Sequence, residues 1–223
     1  MVGLFDSGRG GLNTVRYIKE ISDTVDLVYL IDRENAPYGI KTEKELINIT
    51  ERNIQKLLDM GAERVLIACC TASTVHEKLG SEYRKLSIPI IDEVAKEAKK
   101  ATRTRRVGVI ATNHTVNSHA FSSALQGLEV SELATPELVT LIDGGLSDKC
   151  ADGSTERLLE NIIRPVLLEN IDTLILGCTH FPALKNTILK VASQYGVMNV
   201  IDSARIGAEL LANIEKEADE ITK

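Results

Sequence analysis

Leu66-Ile67-Ala68-Cys69-Cys70-Thr71 is a short apolar run that ends in two cysteines and a threonine. A similar run, Leu174-Ile175-Leu176-Gly177-Cys178-Thr179, follows in the later part of the chain. Each run has the length and composition of a buried strand, and residues with helical spacing come after it. Each cysteine is therefore predicted to lie where a strand passes into a helix.

Outward from these two runs, strands and helices are predicted to alternate along the whole chain. The predicted strands are Val2–Phe5, Leu27–Ile31, Val65–Cys69, Ile88–Ile91, Val107–Ile110, Leu138–Ile142, Thr173–Gly177 and Asn199–Ile201. The predicted helices lie near 11–21, 43–59, 72–80, 93–101, 115–124, 154–168, 182–194 and 204–218. This alternation predicts an α/β fold with a mainly parallel sheet and helices on its faces. Such sheets bind ligands beyond the carboxyl ends of their strands.

A weak internal repeat accompanies the two cysteine runs. The stretch 2–7 resembles 107–112 at an offset of 105 residues, and Cys69 and Cys178 are 109 residues apart (178 − 69). A duplication would relate two halves by a pseudo-twofold axis and place the cysteines at equivalent positions on opposite walls of a cleft. Chance similarity between short strands is the alternative.

Composition excludes several classes of protein. The chain has 223 residues, and 26 basic against 32 acidic side chains leave a net charge of −6, which argues against nucleic-acid and anionic membrane surfaces. No apolar run approaches the ~20 residues of a membrane helix, and the amino terminus does not resemble a signal peptide. These features predict a cytoplasmic protein, in which the four cysteines would be reduced thiols.

The two strand-end cysteines are the candidates for chemistry. The amino terminus of a helix stabilises a thiolate, and the same N–H groups can bind a carboxylate. Asp6 and Ser7 end the first strand and open the stretch FDSGRGG, which matches neither GxGxxG nor a P-loop. His180 follows Cys178 closely enough to exchange a proton with it. Buried cysteines that serve only as small apolar residues are the alternative, and that interpretation is favoured for Cys70 and Cys150 taken alone.

Two other chemistries fit the same residues less well. A zinc site built from Cys69, Cys70, Cys178 and His180 lacks the CxxC or HxxxH spacing of structural zinc motifs, so no metal is expected. A hydrolase that uses Cys178 and His180 for acyl transfer leaves Cys69 unexplained.

With these residues in place, the sequence resembles the glutamate racemase family, part of the aspartate/glutamate racemase superfamily. The resemblance runs nearly end to end. It is carried by FDSGRGG at 5–11, APYGIKT at 36–42, ACCTAS at 68–73, ATNHTVNS at 111–118, TPELVTLIDGG at 135–145, DTLILGCTHFPALK at 172–185 and IDSA at 201–204.

The resemblance implies two pseudo-symmetric, three-layer α/β domains with the active site in the cleft between them. The first domain would comprise residues 1–92 plus 203–223, and the second residues 93–202. Members of this family interconvert the enantiomers of glutamate without pyridoxal phosphate, metal or any other cofactor, and the D-enantiomer supplies peptidoglycan synthesis. The resemblance also makes a homodimer the expected assembly.

Residue by residue, the family's two catalytic cysteines match Cys69 and Cys178, with Asp6 assisting the first and His180 the second. The family's substrate-binding positions match Asp6, Ser7, Tyr38, Gly39, Cys70, Thr71, Thr179 and His180. Two positions depart from the family pattern: Cys70 stands where Asn is usual, and Asp143 stands where a Glu usually assists the second cysteine. These departures keep open an aspartate racemase, a related two-cysteine isomerase or decarboxylase of a small acid, and a non-catalytic amino-acid-binding homologue.

Two opposed cysteines would explain racemisation without a rotating intermediate. As a thiolate, Cys69 would remove the α-proton from one enantiomer while Cys178, as a thiol, donates a proton from the other side. The reverse reaction exchanges their roles. Backbone N–H groups at the two helix starts, with Ser7, Thr71 and Thr179, are the candidates for stabilising the carbanion.

Overall fold

The structure is a computed structural model that describes residues 1–22 and 24–221, with 215–221 as backbone only. The strands are β1 Val2–Asp6, β2 Leu27–Ile31, β3 Arg64–Ile67, β4 Ser87–Pro89, β5 Arg106–Ala111, β6 Glu129–Ala134, β7 Thr173–Gly177 and β8 Asn199–Asp202. The helices are α1 Gly11–Ile21, α2 Glu43–Asp59, α3 Cys70–Ser73, α4 Ser81–Leu86, α5 Ile90–Ala101, α6 Asn113–Asn117, α7 Ala120–Ala124, α8 Pro136–Asp143, α9 Gly153–Leu167, α10 Lys185–Ser193 and α11 Ser203–Ile221. Short 3₁₀ helices occupy Tyr38–Ile40, His76–Lys78 and Phe181–Leu184.

The chain divides into two compact units. Unit 1 comprises Met1–Ile90 together with the chain from Ala204 onward, and unit 2 comprises Ile91–Ser203. Among the described residues, unit 1 holds a four-stranded sheet in the order β2-β1-β3-β4, and unit 2 holds one in the order β6-β5-β7-β8. Every neighbouring pair in both sheets is parallel. The predicted α/β class with parallel sheets is confirmed, and the strand order is the same in both units.

In unit 1, helix α2 covers one face of the sheet. A capping box starts this helix: the Thr42 hydroxyl accepts a hydrogen bond from the Glu45 N–H, and the Glu45 carboxylate accepts one from the Thr42 N–H. Apolar residues at helical spacing then pack into a core with the sheet residues Phe5, Val65 and Ile67. Their burial holds α2 against the sheet.

The carboxyl ends of β1, β2 and β3 meet at one edge of this sheet. The Asp32 N–H donates to the Asp6 carbonyl at 2.9 Å, and the Ala68 N–H donates to the Phe5 carbonyl at 3.1 Å. Pairing therefore continues just past the strands and brings Asp6, Asp32 and Cys69 to the same edge.

Unit 2 repeats this arrangement with other residues. Leu159, Ile163 and Val166 of α9 are buried in one core with Ile110, Leu174 and Leu176 of the sheet. Helix α9 begins at an Asp152 cap, whose carboxylate accepts hydrogen bonds from the N–H groups of Ser154 and Thr155. Cys178 follows β7 directly, as Cys69 follows β3 by two residues.

The predicted strand Leu138–Ile142 is wrong: these residues lie in helix α8. The apolar run has β-branched members, but Pro136 at the start and Glu137 in the first turn are typical of a helix amino terminus. The strand that pairs with β5 at one edge of this sheet is instead β6, which was not predicted because its sequence is only half-buried and partly charged.

Other predicted bounds shift as well. Where a helix was expected at 72–80, α3 ends at Ser73, a 3₁₀ helix covers His76–Lys78, and α4 starts only at Ser81. The helix expected at 115–124 is divided into α6 and α7 at His119, whose φ is 53°. Pro89 ends β4, so Ile90 and Ile91 begin α5 instead of completing a strand. Among the described residues, no helix has both the length and the apolar character needed to cross a membrane.

Candidate active site

Cys69 lies at the carboxyl end of the strands of the unit 1 sheet, immediately before helix α3. Its Sγ atom lies 3.5 Å from the Ser7 hydroxyl, which belongs to the loop after β1. The side chain is buried, with a relative exposure of 5%. The loop after β1 therefore lies beside the Cys69 thiol.

The surroundings of Cys69 favour its protonated form. Burial is the largest effect and the negative charge of Asp6 the next, and together they raise the pKa of this thiol to about 11. Hydrogen bonds from the Ser7 hydroxyl and from the backbone N–H groups of Ala72 and Ser7 act in the opposite direction. At neutral pH Cys69 is therefore protonated and can act as a proton donor.

Asp6 and the glycine-rich loop form one compact turn. The fully buried Asp6 accepts a 2.9 Å hydrogen bond from the Gly8 N–H through Oδ1. Tyr29 covers the loop and donates to the Gly8 carbonyl at 3.3 Å. A Cβ atom at Gly11 would lie 2.5 Å from the Tyr29 hydroxyl and 2.6 Å from the Asp6 Cβ, so only glycine fits at the start of α1.

Tyr38 lies in the segment predicted to bind substrate, but its hydroxyl points into a buried polar network. It donates to Asp32 at 2.6 Å and accepts from the Asn53 amide at 2.9 Å. The Asn53 amide also donates to Asp32 at 2.9 Å, and the Asn35 amide donates to both Asp32 oxygens. Burial opposes ionisation of Asp32, but these hydrogen bonds together lower its pKa. Gly39, next to Tyr38, is half-buried.

Sequence reasoning did not find Asp32, Asn35 or Asn53. A usable signal existed for Asp32, because it directly follows β2 as Asp6 ends β1. Asn53 lies on the buried side of α2 among apolar neighbours, where a polar residue requires a partner. The sequence around Asp32 and Asn53 does not indicate that these two side chains contact each other.

Cys70 and Thr71 begin helix α3 and are both buried. The Thr71 carbonyl accepts a 2.8 Å hydrogen bond from the Thr74 hydroxyl, which secures this one-turn helix. The two residues thus follow Cys69 at a helix amino terminus, the position predicted for groups that bind an anionic ligand.

In unit 2, the side chains of three predicted residues contact one another in series. Cys178 Sγ lies 3.7 Å from His180 Nδ1, and His180 Nε2 lies 3.4 Å from Asp143 Oδ1. Imidazole therefore stands between a thiol and a carboxylate, an arrangement in which it can take the thiol proton while the carboxylate orients the ring. Thr179, between the two partners in sequence, is buried.

Asp143 reaches His180 because its segment is helical. It is the last residue of α8, and its side chain remains 52% exposed. The resemblance predicted that Asp143 assists Cys178, and the structure places the Asp143 carboxylate 3.4 Å from His180 Nε2.

The fourth cysteine and the potential metal ligands are the other candidate functional groups. Cys150 is exposed in the loop between α8 and α9, where its sulfur contacts Ser147. In the part of the chain that the structure describes, no three His, Cys, Asp or Glu side chains are grouped as metal ligands.

Comparison with known proteins identifies close relatives over almost the whole chain. The family model described as Asp/Glu/Hydantoin racemase matches residues 13–211. A protein from Aquifex aeolicus named glutamate racemase is 36% identical over 218 residues, covering 96% of this chain and 83% of the relative.

Solved structures give the same result. Glutamate racemase isoform RacE1 from Bacillus anthracis matches with a TM-score of 0.84 and 29% identity, covering 98% of this chain and 82% of that one. Glutamate racemase from Francisella tularensis, solved in complex with D-glutamate, matches with a TM-score of 0.84 and 27% identity, covering 98% and 81%.

Proposed function

This chain belongs to the Asp/Glu/Hydantoin racemase family, and we propose that it interconverts L- and D-glutamate by a two-base mechanism without a cofactor. The relatives named glutamate racemase, one of them solved with D-glutamate, support glutamate as the substrate. One observation carries the mechanism: each strand-end cysteine has its own polar partners, Ser7 and Asp6 for Cys69, and His180 and Asp143 for Cys178.

In one direction, Cys178 begins the reaction. The Cys178 proton passes to His180, and the resulting thiolate removes the α-proton of the bound enantiomer, leaving the electron pair on the α-carbon. Asp143 stabilises the imidazolium that forms. Cys69, a thiol at neutral pH because of its raised pKa, then donates its proton to the opposite face of the α-carbon. The product is the other enantiomer, with a thiol at Cys178, a thiolate at Cys69 and the first proton still on His180. Release of that proton from His180 and uptake of one from solvent by Cys69 restore the starting state.

In the other direction, the reaction starts from the Cys69 thiolate, whose proton has been released to solvent. The negative charge of Asp6 is one of the two main causes of the raised pKa of Cys69. A substrate ammonium group beside Asp6 would neutralise that charge and lower the pKa of the thiol. Substrate binding thus helps to create the thiolate that attacks it, which explains why a buried acidic residue stands next to the cysteine.

The α-proton of an amino acid is far less acidic than a thiol, so the site must also stabilise the carbanion. The proposed donors are the backbone at the start of α3, the segment at Tyr38 and Gly39, and the hydroxyls of Ser7, Thr71 and Thr179. Loss of one such preorganised donor typically costs about 2.7–4 kcal/mol of barrier.

The proposed activity is tested with each pure enantiomer of glutamate in D₂O. Optical rotation and α-deuteration are followed together on the purified protein. A two-base racemase incorporates solvent deuterium as the rotation decays toward zero from either side. Loss of rotation without deuteration would exclude proton transfer at the α-carbon, and unchanged rotation would exclude racemisation of glutamate.

The same assay with aspartate, together with two further measurements, separates the alternatives. Faster turnover of aspartate than of glutamate would assign the site to an aspartate racemase, and Cys70 is the residue that motivates the comparison. A non-catalytic homologue would bind glutamate in calorimetry without any α-deuteration. A hydrolase would accumulate an acyl-enzyme on Cys178.

In the cell, the proposed role is to supply D-glutamate for peptidoglycan synthesis in the cytoplasm. Expression of this chain should then restore growth of a bacterium that requires added D-glutamate, and the Cys178→Ser variant should not. The proposed assembly is a homodimer whose protomers each contain two domains. Light scattering coupled to size-exclusion chromatography measures the mass of the assembly against the 24.4 kDa chain.

A further inference from the structure

Asp148 joins two segments of unit 2 that carry the partners of Cys178. Its Oδ2 atom accepts a 2.9 Å hydrogen bond from the Asn186 N–H. Its Oδ1 atom accepts hydrogen bonds from the N–H and the hydroxyl of Thr187, at 2.9 and 2.6 Å. The Asp148 N–H in turn donates to the Ala183 carbonyl at 2.7 Å. We refer to these four bonds as the Asp148 clamp.

The two segments that the Asp148 clamp joins carry Asp143 and His180. On one side, the loop from Asp148 runs back to Asp143 through a turn that closes α8, in which the Gly145 and Leu146 N–H groups donate to Ile142 and Leu141. Gly145 has a φ of 103°, a backbone conformation that favours glycine.

On the other side, the 3₁₀ helix Phe181–Leu184 connects the clamp to His180. The Phe181 N–H donates to the Cys178 carbonyl, and the Ala183 N–H donates to the His180 carbonyl, both at 3.1 Å. Hydrogen-bonded turns therefore lie on both sides of the Asp148 clamp, one beside Asp143 and one beside His180.

The contact between Asp143 and His180 needs such support. Asp143 is half-exposed, so packing does not hold its side chain. Because an Asp side chain is short, the backbone largely sets its 3.4 Å approach to His180. Functional groups require this kind of supporting hydrogen bonding to keep a productive geometry.

We propose that Asp148 is a positioning residue that holds Asp143 within reach of His180, and thereby tunes the second proton-transfer group, Cys178. The inference rests on the proposed function, because it assigns Cys178 and His180 to proton transfer. Asp148 itself touches neither of these side chains. Its effect passes through the backbone on both sides of the clamp.

A merely structural role for Asp148 would be the capping of helix α10, and the same loop contains a matched control. The Asp152 carboxylate accepts hydrogen bonds from the N–H and hydroxyl groups of Ser154 and Thr155. All of these partners lie in α9, the helix that Asp152 itself starts. Asp152→Ala therefore removes a comparable cap without disconnecting the segment that carries His180.

The test compares wild type, Asp148→Ala, Asp148→Asn and Asp152→Ala as full-length proteins. Both alanine variants should lower the Tm by about 2–4 °C, the usual consequence of a lost cap in a chain of this size. Asp148→Ala should lower kcat by about 10- to 100-fold, as expected for a misplaced catalytic group. Its KM should change much less, because no substrate contact is removed. Asp148→Asn, which keeps one acceptor oxygen, should fall between wild type and Asp148→Ala.

A second readout follows the cysteines directly. Iodoacetamide alkylation, measured peptide by peptide with mass spectrometry, should become slower at Cys178 in Asp148→Ala and stay unchanged at Cys69. Wild-type kcat in Asp148→Ala, or an equal loss in Asp152→Ala, would overturn the inference. If wild type fails to racemise glutamate, the proposed function fails, and the alkylation rates at Cys178 alone decide whether the Asp148 clamp acts on this cysteine.

Discussion

The hydroxyl of Tyr38 donates a 2.6 Å hydrogen bond to Asp32 and accepts one from Asn53, so its single proton is committed to the interior of unit 1. Any part that Tyr38 has in substrate binding must therefore come from its backbone or from its ring. The side chain anchors the 3₁₀ helix Tyr38–Ile40 to strand β2 and helix α2.

Tyr38→Phe should destabilise the fold and so test this anchoring role. The substitution leaves the Asn53 amide and the Asp32 carboxylate each without one buried partner, which typically costs about 1–3 kcal/mol. Urea unfolding measures the change in the free energy of unfolding. Tyr83→Phe is the matched control, because the Tyr83 hydroxyl makes only an exposed 3.4 Å contact with Gln55. Equal effects of the two substitutions would contradict the anchoring role.

Cys69→Ser and Cys178→Ser should each reduce racemisation by at least about 100-fold, since each removes one acid–base group. Each variant should still exchange the α-proton of one enantiomer with D₂O, because the remaining cysteine can remove and return a proton on its own face. The two variants should act on opposite enantiomers, as measured by NMR of the recovered glutamate. Cys150→Ser, which changes an exposed thiol outside both sites, is the control. Near wild-type racemisation by either site variant would exclude the two-base mechanism.

Cys70→Asn should improve the use of glutamate. A thiol is a much weaker hydrogen-bond partner than an amide, and Asn is the residue usual at this position in the family that the sequence resembles. One added hydrogen bond to the substrate corresponds to about a tenfold gain in kcat/KM. Cys70→Ser, which adds a hydroxyl but cannot reach as far, should bring little gain. A loss of activity in Cys70→Asn would show that this pocket is shaped for a different ligand.

The stability of the fold should depend on Cys69 at alkaline pH. Folding raises the pKa of this thiol from 9.0 to about 11, mainly through burial and then through the charge of Asp6. The unfolded chain therefore loses the proton first, so the stabilisation is complete below pH 9 and is lost as the pH rises toward 11. The loss should amount to about 2–3 kcal/mol. Urea unfolding of wild type and Cys69→Ala, in the presence of a reductant, measures the difference, and parallel stability curves would contradict the raised pKa.

Most strands and helices were predictable because their signal is local. The capped helix α2 has its predicted bounds, and so do α1, β2 and β7. The signal fails where one apolar run suits two structures. Leu138–Ile142 has the composition of a strand, but the helix-start residues Pro136 and Glu137 and the packing of α8 against the core of unit 2 favour a helix.

The polar networks could not be predicted in the same way. Asp32, Asn53 and Asp148 were recognisable as polar residues, but their partners lie many positions away along the chain. Asn53 meets Asp32 across 21 residues, and Asp148 meets Thr187 across 39. The periodicity of hydropathy along the chain carries no information about contacts between residues that are so far apart in sequence.

The sequence by itself determined the fold class and the residues that could react, because strand ends, helix starts and thiols are properties of short segments. The tertiary structure decided which of these residues meet. Ser7 contacts Cys69, and Asp143 contacts His180, since the order of strands in each sheet and the ends of the helices set those distances. It also decided the protonation of Cys69, because only the folded chain buries this thiol and places the charge of Asp6 close to it.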